Sequence, residues 1–483
     1  MAEAEETKKH RQPPQGTPLR RQPGLLLACL PLAVMALLLG VGYGVYHLQV
    51  QVLLIAAAVC AGLVGWRLGY AWEEMQQGIV ESIRKAMPAI LILLCVGMLV
   101  ASWIACGTIP MLLYYGLKLV SPRFFLVTAC AVCSITSLAT GTSWGTVGTV
   151  GVAFIGIAQA LQVPLGPAAG AIVAGAYFGD KLSPFSDIPN LAPIATGANL
   201  FDNIRHMLWS AVPAWLAGLA IYFIMGLKYG RAGVAAPQIA AIMAGLRGHF
   251  SFHVALLLPL AIVFWFAFAK KPVIPGMLLS VATASVLAVW LQGVAVASLA
   301  RFLSSGYKAE TGLADVDRLI SRGGIMSMME TLLIALAAFS FAGIMQRTGM
   351  LAVVLERLGR RAHKVWSLAL TAIVAALATA MVTGSSYLAM LIPGELLAPA
   401  FRKMNLAAKN LSRIITECGG IMVPLVPWSM AGVYVSGILG VSVIAYLPFA
   451  FMNYVSVLLL VLYGVTGFTM ARRTREDETR IGS

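Results

Sequence analysis

Residues 175–193 read Gly175-Ala-Tyr-Phe-Gly-Asp180-Lys-Leu-Ser-Pro-Phe-Ser-Asp187-Ile-Pro-Asn190-Leu-Ala-Pro193. Two carboxylates, a lysine, two serines, an asparagine and three prolines interrupt an otherwise apolar run. Hydrocarbon accommodates such backbone only where it lines a protein-enclosed or water-filled cavity. Ionisable side chains within a span mark functional sites by default. The stretch therefore predicts a helix broken in mid-membrane, where a solute is held and moved.

The rest of the chain supplies the membrane context. Its apolar fraction is 59%, its charged fraction 11% and its mean hydropathy +0.86, whereas soluble domains average about 45–50% apolar and about 25% charged. Long apolar runs recur from 24–45 to 444–468. Several, such as 146–161, 166–178 and 414–426, fall short of the roughly 20 residues that a full span needs. These short runs are flanked by Gly, Ser and Pro, which predicts re-entrant or broken helices. The net charge of +15 does not indicate nucleic acid, because the basic residues lie in tails and loops and no basic helix is interleaved with aromatics. All seven cysteines (29, 60, 95, 106, 130, 133 and 418) lie in apolar segments. They read as packing residues, including the Cys130-Ala-Val-Cys133 pair.

One unit occurs twice. Thr140-Gly-Thr-Ser-Trp144 returns as Thr383-Gly-Ser-Ser-Tyr387, and Pro184-Phe-Ser186 as Pro427-Trp-Ser429, each 243 residues later. Met87 and Cys106-Gly107 align with Met329 and Thr348-Gly349 at an offset of 242. Each half reads as three spans, a hairpin with a hydroxyl-rich tip, a broken helix and a closing span. Because each hairpin returns to its own side, each half crosses five times and the second half is inverted. The expected fold is thus an all-α polytopic membrane protein of about 10 spans, built as two inverted repeats with two re-entrant hairpins and two broken helices. Its expected organisation is a disordered cytoplasmic tail over 1–24, repeats over 25–227 and 250–469, an external linker over 228–249 and a cytoplasmic tail over 470–483. With both termini inside, 24 basic residues are cytoplasmic and nine external, which favours this orientation over its reverse.

Inverted repeats whose discontinuous helices meet at the midplane are a common transporter architecture. The oxygen donors available to a hard cation are Thr142 and Ser143 at the first tip, Ser385 and Ser386 at the second, and Ser183, Ser186 and Asn190 on the first broken helix. Asp187 is the leading candidate for holding sodium and carrying a proton. It stands in the unwound stretch, and its repeat counterpart is Met430. A carboxyl in a dry interior is more readily protonated and so can trade a proton for a cation. Asp180 and Glu417 are further candidate proton carriers; Lys181 either forms an internal ion pair with the adjacent Asp180 or sets the pKa at which Asp180 carries its proton or ion. Glu395 is a weaker candidate for the same cavity, and Glu330 reads as a helix cap. No His-Glu-x-x-His occurs and no Gly-Lys-Ser/Thr follows a glycine run, which argues against a metalloprotease or a phosphate loop.

These motifs, with Cys106-Gly-Thr-Ile-Pro110 and Gly148-Thr-Val-Gly151, resemble the NhaC family of Na+/H+ antiporters, within the wider ion-transporter superfamily. The closest stretch runs over 78–198. The resemblance implies a bacterial inner-membrane antiporter that exchanges sodium ions for protons by alternating access and is not an enzyme. It implies no cofactor beyond the transported Na+ and H+, no nucleic-acid partner, and Asp180, Ser183, Ser186, Asp187 and Asn190 on the motif positions. Where the family pattern has two threonines after the second aspartate, this chain has Ile188-Pro189. A sodium- or proton-coupled exchanger of a small organic acid or amino acid, malate- or lactate-like, is the alternative. A homo-oligomer is open on this reading.

Overall fold

A computed structural model describes residues 23–43, 45–46, 48–231, 236–269, 271–359 and 364–473. Most of both tails, and Lys270, Arg360 and Arg361, thus lie outside the described residues. Those described are overwhelmingly helical, with a single isolated bridge, Leu406–Arg472, and no named strand. Among the described residues nine helices are long and apolar enough to cross a membrane, or up to twelve if each bent pair counts as one span. The chain is an all-α polytopic membrane protein.

In the first half α1 is Leu25–Leu37, α2 Val50–Arg67, α3 Trp72–Ala105, α4 Thr108–Leu119, α5 Phe125–Thr140 and α6 Ser143–Ala160. Next come α7 (Leu165–Leu182), α8 (Asp187–Thr196) and α9 (Leu200–Arg231). Helix α3 starts well before the apolar run at 87–106, because Glu73 and Glu74 occupy its first turn and Glu74 accepts from the Ala71 N–H (3.2 Å). The expected linker over 228–249 contains helix α10 (Ala236–His249).

In the second half α11 is Leu258–Phe268, α12 Val273–Gln292, α13 Val296–Ser305, α14 Ala314–Ile320, α15 Met329–Arg347 and α16 Met350–Gly359. They are followed by α17 (Val365–Thr383), α18 (Ser386–Lys403), α19 (Ala408–Ile415), a π-helical segment Thr416–Gly420, α20 (Met430–Leu439) and α21 (Phe451–Thr466).

Both breaks have a local cause. Proline lacks an N–H and forces the preceding residue out of the helical region. Ser183, before Pro184, sits at φ −79°, ψ 122°. Val426, before Pro427, sits at φ −90°, ψ 114°. Ser186 then caps α8 by accepting from the Ile188 N–H (3.2 Å), and Ser429 caps α20 by accepting from the Gly432 N–H (2.9 Å).

The packing across the halves is reciprocal. Helix α2 lies on α15 and α12 on α3, while α3 meets α15 and α9 meets α21. Helix α8 packs on α18, and α20 packs on α6. Within the first half α5 and α7 form the tightest pair. A Cβ on Gly175 would come within 2.2 Å of the Cys130 carbonyl oxygen, and one on Gly179 within 2.3 Å of that of Ser134. Small residues four apart let the two backbones touch. Gly179→Ala forces them apart and should cost about 1–3 kcal/mol, read as a lowered melting temperature of the detergent-purified protein.

Candidate functional site

The two hairpin tips and the two breaks meet in matching pairs. Gly141, at φ 70°, closes α5, and a Cβ there would lie 2.8 Å from Phe185 Cβ and 3.1 Å from Ser186 N. Gly384, at φ 60°, closes α17, and a Cβ there would lie 3.1 Å from Ser429 Cα. Only glycine enters this left-handed region without strain. The Met430 N–H donates to the Gly384 carbonyl (2.9 Å), tying the second tip to the second break.

At the first break the buried carboxylate is Asp180, at 3% exposure, whereas Asp187 is exposed. That corrects the expectation of an enclosed Asp187. The cause is helical geometry: Asp180 is in the last turn of α7, on a face covered by the tip, while Asp187 opens α8 beyond the break. The Ser143 hydroxyl donates to Asp180 Oδ2 (2.6 Å), and the Ser186 hydroxyl and Ser143 N–H also face this carboxylate. Three residues to either side of Asp180, the buried hydroxyls of Tyr177 and Ser183 have no hydrogen-bond partner among the described residues. Buried polar atoms are rarely left this way without a reason.

The other candidates mostly hold backbone. The Thr142 hydroxyl caps α6 by accepting from the Gly145 N–H (3.1 Å). The Asn190 amide donates to the Pro184 and Ser186 carbonyls (3.0 and 2.6 Å), bridging the break. Ser385 is buried with its N–H on Thr383 Oγ1 (3.3 Å), and the Ser386 hydroxyl points to the Gly420 carbonyl (3.4 Å). Asp187 is connected to this second tip, since Tyr387 donates its hydroxyl to Oδ2 (3.0 Å). The equivalent aromatic of the first tip, Trp144, stacks on Tyr434 of α20 with centroids 4.2 Å apart. Each tip thus reaches the half-helix of the opposite half.

Lys181 does not neutralise Asp180. It points the other way along α7 and pairs with Glu417 of the π-helical segment, Nζ to Oε2 at 3.0 Å, both side chains fully buried. Ser456 accepts from the same Nζ (3.1 Å), and Ser210 donates to Glu417 Oε1 (2.8 Å). Ser210, Ser456 and Tyr387 were not among the sequence candidates. Only Tyr387 had a signal, as the repeat counterpart of Trp144.

Residues 141–145 have the Gly-x-Ser-x-Gly spacing of a hydrolase nucleophile elbow. That elbow follows a strand and serves a histidine, whereas Ser143 follows helix α5 and donates to Asp180. Among the described residues no group of three or more His, Cys, Asp or Glu could hold a metal ion. A hard monovalent cation has no such requirement, since carboxylate, hydroxyl and carbonyl oxygens suffice.

A model of the Na+/H+ antiporter family matches residues 27–187 and 175–468. The chain is 41% identical over 458 residues to an uncharacterized Na+/H+ antiporter of Haemophilus influenzae, covering 94% of this chain and 98% of that one. Identity to the Na+/H+ antiporter NhaC of Alkalihalophilus pseudofirmus is 34% over 444 residues, covering 92% and 96%. Identity to the malate-2H+/Na+-lactate antiporter of Bacillus subtilis is 34% over 421 residues, covering 87% and 90%.

Proposed function

The chain belongs to the Na+/H+ antiporter family, and we propose that it exchanges Na+ for H+ across the bacterial inner membrane at a site centred on Asp180. The observation that carries this reading is a buried carboxylate bonded to Ser143 and bracketed by the unpartnered hydroxyls of Tyr177 and Ser183. Sodium takes oxygen ligands from Asp180, Ser143, Ser183 and Ser186. A proton on Asp180 removes the charge that holds the ion, so the two compete for one place. Asp187, accessible and tied to Tyr387, receives the ion or proton at the mouth of the break and passes it inward. Asn190, Thr142, Ser385 and Ser386 hold the tips and the break in register. On this reading Glu417 is an anchor for Lys181 rather than a proton carrier.

The site then opens to one side at a time as two inverted halves of the molecule rock against each other. The reciprocal packing and the near-constant repeat offset support this arrangement. Cytoplasmic termini follow from the bias of the basic residues. Exchange of an organic acid is the second reading, favoured by the similarity to the malate-2H+/Na+-lactate antiporter.

Dye-monitored proton flux in everted vesicles, titrated with Na+, Li+, K+, malate and lactate, separates the two. Sodium chloride alone should move protons. Flux that requires malate or lactate would replace the first reading with the second.

A further inference from the structure

Ser143 donates to Asp180 from the first hairpin tip, and the next residue, Trp144, is held by the other half of the molecule. Thr142 caps α6, so Ser143 and Trp144 both lie in its first turn. Successive helical side chains point about 100° apart. Ser143 can therefore face α7 while Trp144 faces α20.

Tyr434 of α20 grips Trp144 in two ways. The rings stack with centroids 4.2 Å apart and planes 21° from parallel, and the Tyr434 hydroxyl donates to the Trp144 carbonyl (2.6 Å). A stacked aromatic pair and a buried hydrogen bond are separate contributions. Tyr434 is only 1% exposed, so the grip is shielded from water.

The backbone of α6 is shaped for this contact. Val147–Gly151 is π-helical, a form that recurs at functional positions. Gly148 lies over the tyrosine hydroxyl: a Cβ there would stand 2.9 Å from Tyr434 Oη. A larger residue would push that oxygen off the Trp144 carbonyl.

Helix α6 belongs to the first half and α20, which packs on it, to the second. Rocking of one half against the other parts both the stack and the hydroxyl bond. The Ser143–Asp180 hydrogen bond is short at 2.6 Å, and shifts of about 1 Å matter in such a site.

Building on the exchange reading above, we propose that Tyr434 is a positioning residue for the Asp180 site: through Trp144 it keeps the Ser143 hydroxyl on Asp180, and it lets go when the halves move apart. Sodium affinity is thereby tied to the arrangement of the halves, high while Tyr434 holds the tip and low once the tip is released. The second half so acquires a share in a site whose ligands, Asp180, Ser143, Ser183 and Ser186, all belong to the first.

The test is sodium-driven proton flux of the full-length protein in proteoliposomes, with the KM for Na+ and the maximal rate separated, beside thermal unfolding of the same preparations in detergent. Tyr434→Phe keeps the stack but loses the hydroxyl bond, and should raise the KM about fivefold. Tyr434→Leu loses both, and should raise it about thirtyfold. The maximal rate at saturating Na+ should hold, as expected when only binding is weakened. Tyr222→Phe is the control: its hydroxyl is equally buried and donates to the Phe449 carbonyl, also at 2.6 Å. It should lower the melting temperature much as Tyr434→Phe does and leave the KM alone, whereas a merely structural Tyr434 would make the two variants alike. An unchanged KM in Tyr434→Leu, or an equal rise in Tyr222→Phe, would overturn the proposal. Should Tyr434→Leu fail to fold, Gly148→Ala keeps the tyrosine and displaces its hydroxyl. Its KM should rise about as far as that of Tyr434→Phe, and an unchanged KM there would equally overturn the proposal. A wild-type protein whose flux ignores Na+ would instead overturn the exchange reading, and this inference with it.

Discussion

Asparagine in place of Asp180 should abolish sodium-dependent proton movement while leaving the protein folded. The substitution keeps the shape and one acceptor for the Ser143 hydroxyl, which donates at 2.6 Å, but removes the charge and the exchangeable proton. Losing a buried, hydrogen-bonded charge from an ion's coordination costs about 3 kcal/mol or more, roughly a hundredfold in affinity. With no proton to release, the exchange loses its second partner as well. Asp187→Asn acts on an exposed carboxylate with one protein partner, Tyr387, and should cost about tenfold in sodium affinity. Proton flux in proteoliposomes, with size-exclusion profiles as the folding control, checks both. A larger loss in Asp187→Asn than in Asp180→Asn would move the site to the far side of the break.

Lys181→Met and Glu417→Gln are the most destabilising polar substitutions expected in this chain. The pair is fully buried at 3.0 Å and completed by Ser210 and Ser456. Removing one partner leaves an uncompensated charge in a dry interior, at about 3–5 kcal/mol. Each single variant should show a sharply lowered melting temperature and poor recovery from membranes. The double variant Lys181→Met/Glu417→Met leaves no charge behind and should recover most of the stability. Recovered folding with intact exchange would mark the pair as a strut between the two broken helices. Recovered folding with exchange lost would return Glu417 to the proton path.

Much of the scaffold was legible in the sequence. Proline after Ser183 and Val426 dictates both breaks, and the 243-residue offset reappears as contact: Gly141 lies against Ser186 as Gly384 lies against Ser429. Which groups meet across the halves was not legible. Lys181 finds Glu417 236 residues away because of how α7 crosses the π-helical segment, and no local pattern encodes that crossing. Asp180 and Asp187 look equivalent in one dimension. Only the cover of the first hairpin tip separates a buried carboxylate from an exposed one.

The most direct test of a shared site for both ions is the sodium dependence of exchange measured across pH in proteoliposomes. If Na+ and H+ compete for Asp180, acidification raises the KM for Na+, approaching about tenfold per pH unit, while the maximal rate at saturating Na+ holds. A KM for Na+ that stays constant as pH falls, with only the maximal rate changing, would contradict the account.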